Sequence, residues 1–459
     1  MDTNSQTPMA SAPLAAPSAK RPGAFDAHHP PDPNIISTCV HCGFCLQACP
    51  TYLLWGEEMD SPRGRIQLIK MASEGEMPMS PRWVEHFDAC LGCMSCMTAC
   101  PSGVDYGKLI EATRAQIERR HKRSFAERWH RQFIFSTFTN PKRLRRLGKF
   151  LAIYQQWGLQ ALLRISGMRE VLPPGLAAME ALAPRVTARV PILEETPAYG
   201  EKRARVGLLL GCAQREFLSQ VNAATVRVLT AEGCEVVAPA EQSCCGALML
   251  HAGEEQAAAD LARRTIDIFE RARVDAVVIN AAGCGSSMKE YGHLLRDDPR
   301  YAERAKQFSA KCKDICEFFH ELGPRQEYRP LPLRVAYQDA CHLQHAQGIR
   351  SQPRSLLGAI PSLTVAEIPE SAICCGSAGI YNLVQPQTAL ALGDRKAQLI
   401  APLGVDVVAT GNPGCLLQLT AALARSGQKI PVVHSVQLLE ASLRGMSRES
   451  FLAAHRIAE

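Results

Sequence analysis

The sequence predicts an α+β multidomain chain: a mainly helical, cysteine-dense domain followed by two tandem α/β repeats with parallel sheets. Two observations give the first part. Cys39-Val-His-Cys42-Gly-Phe-Cys45-Leu-Gln-Ala-Cys49-Pro50 has a near copy in Cys90-Leu-Gly-Cys93-Met-Ser-Cys96-Met-Thr-Ala-Cys100-Pro101, and the segments around both read as short helices. A third gives the rest: beyond Arg205 the chain repeats itself at offsets of 129, 130 and 131 residues, each copy alternating apolar strands with helical stretches.

In each early motif three cysteines follow one another at three-residue steps and a fourth, four residues on, precedes proline. That is the bacterial ferredoxin spacing for a [4Fe–4S] cluster, in which the fourth cysteine serves the neighbouring cluster. The rule assigns Cys39, Cys42, Cys45 and Cys100 to one cluster and Cys90, Cys93, Cys96 and Cys49 to the other. Zinc sites instead pair two separated C-x-x-C knuckles. Disulfides are disfavoured because the 19 cysteines are odd in number and the N-terminus lacks a secretory pattern. The cysteine count therefore indicates metal ligation in a reducing compartment, the cytoplasm.

Five segments follow in order. Residues 1–33, rich in Ala, Pro and Ser, are expected to form a disordered tail. Residues 34–107 form the two-cluster ferredoxin-like domain. Within it Ser61-Pro62 suits a helix start, and Arg63 and Arg65 either offset cluster charge or form a solvated basic turn. Residues 108–200 are a basic helical connector and linker. From Lys108 to Glu170 there are 15 Lys/Arg against 4 Asp/Glu, whereas the whole chain of 459 residues carries only +6. The clusters Arg119-Arg120-His121-Lys122-Arg123 and Lys142-Arg143-Leu144-Arg145-Arg146, the second leading into an apolar helix, suit an anionic membrane surface, an acidic partner, or packing on the protein itself. No nucleic-acid motif accompanies them, and no run of 18 apolar residues marks a membrane span.

The last two segments are the repeats, 201–330 and 331–459. Arg205-Val-Gly-Leu-Leu-Leu-Gly-Cys212 matches Arg334-Val-Ala-Tyr-Gln-Asp-Ala-Cys341, Cys244-Cys245-Gly246 matches Cys374-Cys375-Gly376, and Gly283-Cys284 matches Gly414-Cys415. Helical stretches are expected at 215–232, 254–273 and 387–402. Each repeated cysteine falls just past a strand, where open parallel sheets gather their ligands. Adjacent cysteines can serve one centre only if the backbone bends sharply, which the following glycine permits.

The repeats resemble the cysteine-rich CCG domain, whose full pattern ends in Cys-x-x-Cys. Here the fifth cysteine is replaced by Ser287 and by Gln418. Heterodisulfide reductase, which has the complete pattern, holds noncubane [4Fe–4S] clusters there. For Cys212, Cys244, Cys245 and Cys284, and for Cys341, Cys374, Cys375 and Cys415, three readings stand: further iron–sulfur clusters with an added oxygen or histidine ligand, a redox thiol site, or buried core cysteines. His342 and His345 are candidates for iron ligation or proton relay, against the alternative of hydrogen-bond partners at a helix start. Lys289 and Tyr291 are weaker candidates. Cys312 and Cys316, at i and i+4, are expected to share the buried face of a helix.

Two ferredoxin motifs followed by tandem CCG repeats resemble the iron–sulfur subunits of quinone-linked flavin dehydrogenases, and most closely the glycolate oxidase iron–sulfur subunits. The likeness rests on Cys39-Val-His-Cys42-Gly-Phe-Cys45, Ser61-Pro-Arg-Gly-Arg-Ile66, Gly283-Cys284-Gly with Lys289-Glu-Tyr-Gly292, Leu343-Gln-His-Ala-Gln347 and Cys374-Cys-Gly-Ser-Ala-Gly379. It implies two [4Fe–4S] clusters and an electron-transfer role. Flavin-containing subunits would oxidise glycolate to glyoxylate, a membrane quinone would accept the electrons, and the chain would lie on the inner face of the cell membrane. Flavin and NAD are not expected on this chain, since no Gly-x-Gly-x-x-Gly opens a βαβ unit. D-lactate or glycerol-3-phosphate dehydrogenase subunits share the plan, and a heterodisulfide-reductase-like enzyme is the rival reading.

Overall fold

A computed structural model of the chain describes residues 23–165, 171–172 and 174–456. Most of the expected tail, 1–22, lies outside them. Residues 23–32, assigned to that tail, instead pack on the first domain. The Ala24 N–H donates to Ala72 O at 2.9 Å, the Phe25 ring lies 6.0 Å from Trp83, and Asp26 accepts from Gln116 and Arg119. His29 adds contacts to Glu255 and Asp297 of the first repeat, and single contacts of this kind do not register in an averaged composition.

The cysteine-dense domain is built from helices, among them Pro50–Trp55, Pro62–Ser73, Pro81–Asp88, Ser95–Ala99 and Tyr106–Arg120. Proline opens three of these because a first-turn position needs no N–H. Ser61 caps Pro62–Ser73 by accepting from the Gly64 N–H at 3.0 Å, as Ser61-Pro62 suggested. Ile69, Phe87, Leu109, Ile110 and Ile117 fill the core. The connector continues in Phe125–Phe138, Pro141–Gln156 and Leu159–Ile165, and the stretch read as linker holds a further helix, Pro174–Ala181.

Two sheets follow. In the first, β1 (Glu195–Thr196), β2 (Ala204–Leu208), β3 (Cys234–Val237), β4 (Ala276–Ile279) and β5 (Cys312–Asp314) lie in the order β1-β3-β2-β4-β5, parallel except for β1. The second orders β6 (Arg334–Tyr337), β7 (Thr364–Glu367), β8 (Val407–Thr410) and β9 (Val432–His434) as β7-β6-β8-β9, all parallel. Strand β1 comes from the linker side of residue 201 and covers an edge that would otherwise present unpaired backbone. The duplication shows in detail: Asp275 accepts from the Arg205 N–H and Asp406 from the Arg334 N–H, both at 2.8 Å. Cys312 lies on β5 and Cys316 in the helix Ile315–Leu322, so they are buried as expected but share no helix face.

The two sheets share one apolar core. Val206, Leu208 and Val236 of the first repeat and Val335, Tyr337 and Val407 of the second belong to it, with the helix Ser219–Ala231 packed on Ser435–Leu443 and Arg227 paired to Glu440 at 2.7 Å. The repeats are therefore mutually dependent for burial.

A Cβ at Gly64 would stand 2.0 Å from Glu58 O, so Gly64→Ala should destabilise the first domain by about 1–3 kcal/mol, read as a lowered unfolding midpoint. His434 is fully buried and its Nδ1 accepts from the Val436 N–H at 3.1 Å, while burial lowers its pKa from 6.5 to about 4. The native state thus binds fewer protons than the unfolded chain between those values, and stability should fall as pH drops through this window. His434→Asn, which keeps an acceptor, should flatten that part of the stability curve in denaturant titrations.

Candidate metal centres

The loop between residues 39 and 49 turns through His41 (φ 54°) and Gly43 (φ 88°), which wraps the first three thiols around a recess. Cys39, Cys42, Cys45, Cys96 and Cys100 line it with Pro62, Arg63, Val104 and Tyr106, around about 410 Å³ of empty space that opens to solvent. Cys100 thus joins the first motif across the domain. Cys42 is exposed, and Val40 and Phe44 beside it are each 68% exposed. Arg63 braces the loop, donating to His41 O at 3.1 Å and pairing with Glu58 at 2.6 Å.

The second set is covered. Cys49, Cys90, Cys93 and Cys96 are all buried, and the other three thiols stand close enough to add to the cost of ionising Cys96. Arg65, 1% exposed, lies at the centre of the domain. It donates to His86 O at 2.6 Å and to Asp60 at 3.1 Å, with the Cys90 and Cys49 thiols as further neighbours. Burial pushes the Cys90 thiol up, but the Arg65 and Arg114 guanidiniums outweigh it and hold the thiol below its ordinary value. Of the two readings for Arg63 and Arg65, Arg65 meets the charge-offsetting one. Arg114 was not singled out by its sequence context.

In the repeats, Cys212, Cys244-Cys245 and Cys284 follow β2, β3 and β4, and their thiols form a contiguous chain: Cys212 to Cys244, Cys244 to Cys245, Cys245 to Cys284. Cys341, Cys374, Cys375 and Cys415 repeat the arrangement. The bend depends on Gly246 (φ 87°) and Gly376 (φ 89°), where a Cβ would stand 3.1 Å from Ala258 O and 2.6 Å from Ala389 O. Gln418, at a missing fifth position, is committed elsewhere: its amide donates to Ala389 O at 2.8 Å and accepts from Asn382 at 3.3 Å. Lys396, 1% exposed, donates to Glu370 O, and burial lowers its pKa to about 8 against the pull of the Cys375 and Cys374 thiols. Its sequence setting, Gly-Asp-Arg-Lys, reads as a solvent face, so only the helix register reveals it. Lys289 pairs with Glu317 at 2.5 Å and Tyr291 donates to Cys245 O at 2.5 Å, both as structural contacts.

His342 and His345 serve the domain interface. His342 Nε2 lies 2.9 Å from Gly92 O and Nδ1 lies 2.8 Å from Ser286 Oγ; His345 spans Ala372 O at 2.9 Å and Thr98 Oγ1 at 2.7 Å. A carbonyl takes the N–H and a hydroxyl takes the lone pair, which leaves neither ring free for iron in this arrangement. The same interface buries Cys93 in one patch with Cys374, Leu91 and Tyr381, with Cys341 at its margin. Tyr381 donates to Ala89 O at 2.9 Å and Ser95 to Ala372 O at 3.2 Å. Toward the first repeat, Arg114 bridges Cys90 O and His251 O. The donor chemistry fits iron–sulfur centres: thiols grouped in sets, with cations beside them.

Comparison with known proteins agrees with this arrangement. Family profiles match a 4Fe-4S dicluster domain at 35–104, the linker region of the glycolate oxidase iron-sulfur subunit at 126–183, and cysteine-rich domains at 206–289 and 335–420. A probable glycolate oxidase iron-sulfur subunit from Bacillus subtilis is 39% identical over 89% of this chain and 94% of its own length. The glycolate oxidase iron-sulfur subunit of Escherichia coli is 35% identical over 89% and 95%. A subunit of the CoM/CoB fumarate reductase of Methanothermobacter marburgensis is 33% identical over 52% of this chain and 46% of its own. A hypothetical protein from Helicobacter pylori shares the fold, with TM-score 0.52 at 10% identity over 86% of this chain and 76% of that one. Similarity that runs nearly end to end on both chains makes this protein a member of the glycolate oxidase iron–sulfur subunit family, and with it an iron–sulfur electron-transfer subunit of an oxidoreductase.

Proposed function

We propose that the chain takes electrons from a flavin-containing partner that oxidises glycolate to glyoxylate and passes them toward a membrane quinone. Two [4Fe–4S] clusters, one on Cys39, Cys42, Cys45 and Cys100 and one on Cys90, Cys93, Cys96 and Cys49, would supply one-electron steps. The observation that carries this reading is the gradient of exposure across the eight thiols. The first set opens beside exposed Val40 and Phe44, a contact point for an electron partner, while the second is sealed against the second repeat at Cys93 and Cys374. Chain residues hold the centres, exclude water from the inner one and offset its charge through Arg65 and Arg114. Substrate chemistry belongs to the partner in this reading.

Cys93→Ser should remove about four irons per chain and abolish glycolate-dependent quinone reduction in the assembled complex, while glycolate still bleaches the partner's flavin. Cys312→Ser, a buried strand position, should leave the iron content unchanged.

Attachment to the inner face of the cell membrane is part of the same proposal. No helix of the described residues is long and apolar enough to cross a membrane. The helix Pro141–Gln156, with its cap Trp157, exposes Lys142, Arg146, Lys149, Phe150, Ile153 and Trp157 on one side, the mixture of cations and large apolar groups that settles at an anionic lipid surface. Replacing Lys142, Arg146 and Lys149 together by Glu should weaken co-sedimentation with anionic vesicles at least tenfold at low salt, with iron content unchanged. Equal sedimentation of variant and wild type would remove this helix from the attachment site.

A further inference from the structure

The two repeats share four cysteines each, but the groups around them differ. We propose that the first repeat is a third iron–sulfur site in which Ser287 supplies an oxygen ligand beside Cys212, Cys244, Cys245 and Cys284, and that the second repeat holds no equivalent centre. The proposal rests on the iron–sulfur nature of the family and is independent of which substrate the complex oxidises.

Ser287 lies one helical turn beyond Cys284 in the helix Ala282–Lys289, hence on the same face. It is 2% exposed and its Oγ has no hydrogen-bond partner. A buried hydroxyl without a partner is costly, because it gives up its hydrogen bonds to water and regains none. Helical serines and threonines ordinarily avoid this cost by bonding a carbonyl of the preceding turn. Thr265 does so at Leu261 O, and Ser286, the neighbour of Ser287, is partnered instead by His342 Nδ1 at 2.8 Å. Ser287 stands apart from both, its oxygen held in place with no protein group to receive it.

Two further orphans border the same tetrad. Arg215, one turn beyond Cys212 and 8% exposed, is anchored through one nitrogen to Gln242 O at 3.2 Å, while its Nε and second terminal nitrogen have no partner. Ser243 Oγ, immediately before Cys244, is also unpartnered. A buried guanidinium with free N–H groups near the Cys212 thiol is the complement of an anionic centre, because it can donate to inorganic sulfide or thiolate sulfur. A hydroxyl oxygen at the fifth position completes a four-sulfur, one-oxygen donor set for iron.

The second repeat differs at both equivalent positions. Gln344 stands where Arg215 does, and its orphan atom is the acceptor Oε1, which cannot stabilise an anion. Gln418 stands where Ser287 does, with its amide already engaged at both ends. It does carry a buried cation beside its thiols, Lys396, which donates to Glu370 O, so the repeats differ in the fifth-position oxygen and in the free guanidinium N–H groups, not in the presence of a cation.

The test uses the full-length chain purified anaerobically, with iron and sulfide counting and Mössbauer spectra of the ⁵⁷Fe-enriched protein. Wild type should hold about twelve irons, eight of them in the ferredoxin-like domain. Ser287→Ala should lose about a third of the iron with the cubane signals intact, and Gln418→Ala should lose none. Ser287→Cys, which restores a sulfur donor, should retain the iron but change the Mössbauer parameters of the third centre. About eight irons in wild type would overturn the site, and about sixteen would overturn the inequivalence of the repeats. Ser287→Ala with full iron would overturn the ligand assignment, as would a Ser287→Cys spectrum identical to wild type. Neither assay needs a partner, a substrate or a quinone, so failure here is separable from failure of the glycolate reading.

Discussion

Thiolates gathered away from water repel one another and lose solvation, and the architecture follows from the need to offset that cost. Cations stand beside the cysteine sets: Arg63 at the loop of the first, Arg65 and Arg114 at the second, Arg215 by Cys212, and Lys396 by Cys375. Arg65, Arg114, Arg215 and Lys396 are each fixed by a backbone carbonyl, and Arg65 by the Asp60 carboxylate as well. A carbonyl orients a cation without neutralising it, which leaves its charge available to the sulfur atoms.

Those cations also tie the domains together. Arg114 belongs to the helix Tyr106–Arg120, yet it reaches back to Phe87 O and Cys90 O and forward to His251 O in the first repeat. His342 and His345 do the corresponding work for the second repeat, through Gly92 and Thr98. The inner cysteine set is thus closed by contacts from both repeats, and the shared core of the two sheets keeps those contacts in register.

Much of this was legible in the sequence because the signals were local or repeated. The ferredoxin spacing, the Ser61-Pro62 helix start and the constant offset between repeats each report a short-range constraint, and the positive-φ glycines after Cys245 and Cys375 follow from the need to bend. What escaped depends on register and distant contacts. Lys396 and Arg114 look like surface cations until helix packing turns them inward. Phe25 and Asp26 sit in a stretch whose composition resembles a tail, and Cys312 reads as helical until β5 pairs it with Val277. His342 drew notice as a candidate ligand because it adjoins Cys341, but its ring is occupied by groups from two other parts of the fold.

On the proposed route, electrons from glycolate enter this chain by way of a flavin and not by direct contact with substrate. Freeze-quenched EPR of the anaerobic complex of this chain with its flavoprotein neighbours tests it most directly. Glycolate should leave the isolated chain oxidised, and in the complex flavin reduction should be followed by reduced-cluster signals. Cluster reduction by glycolate in the isolated chain would contradict it, as would a complex that forms glyoxylate for many turnovers with a quinone acceptor while the clusters of this chain never change redox state.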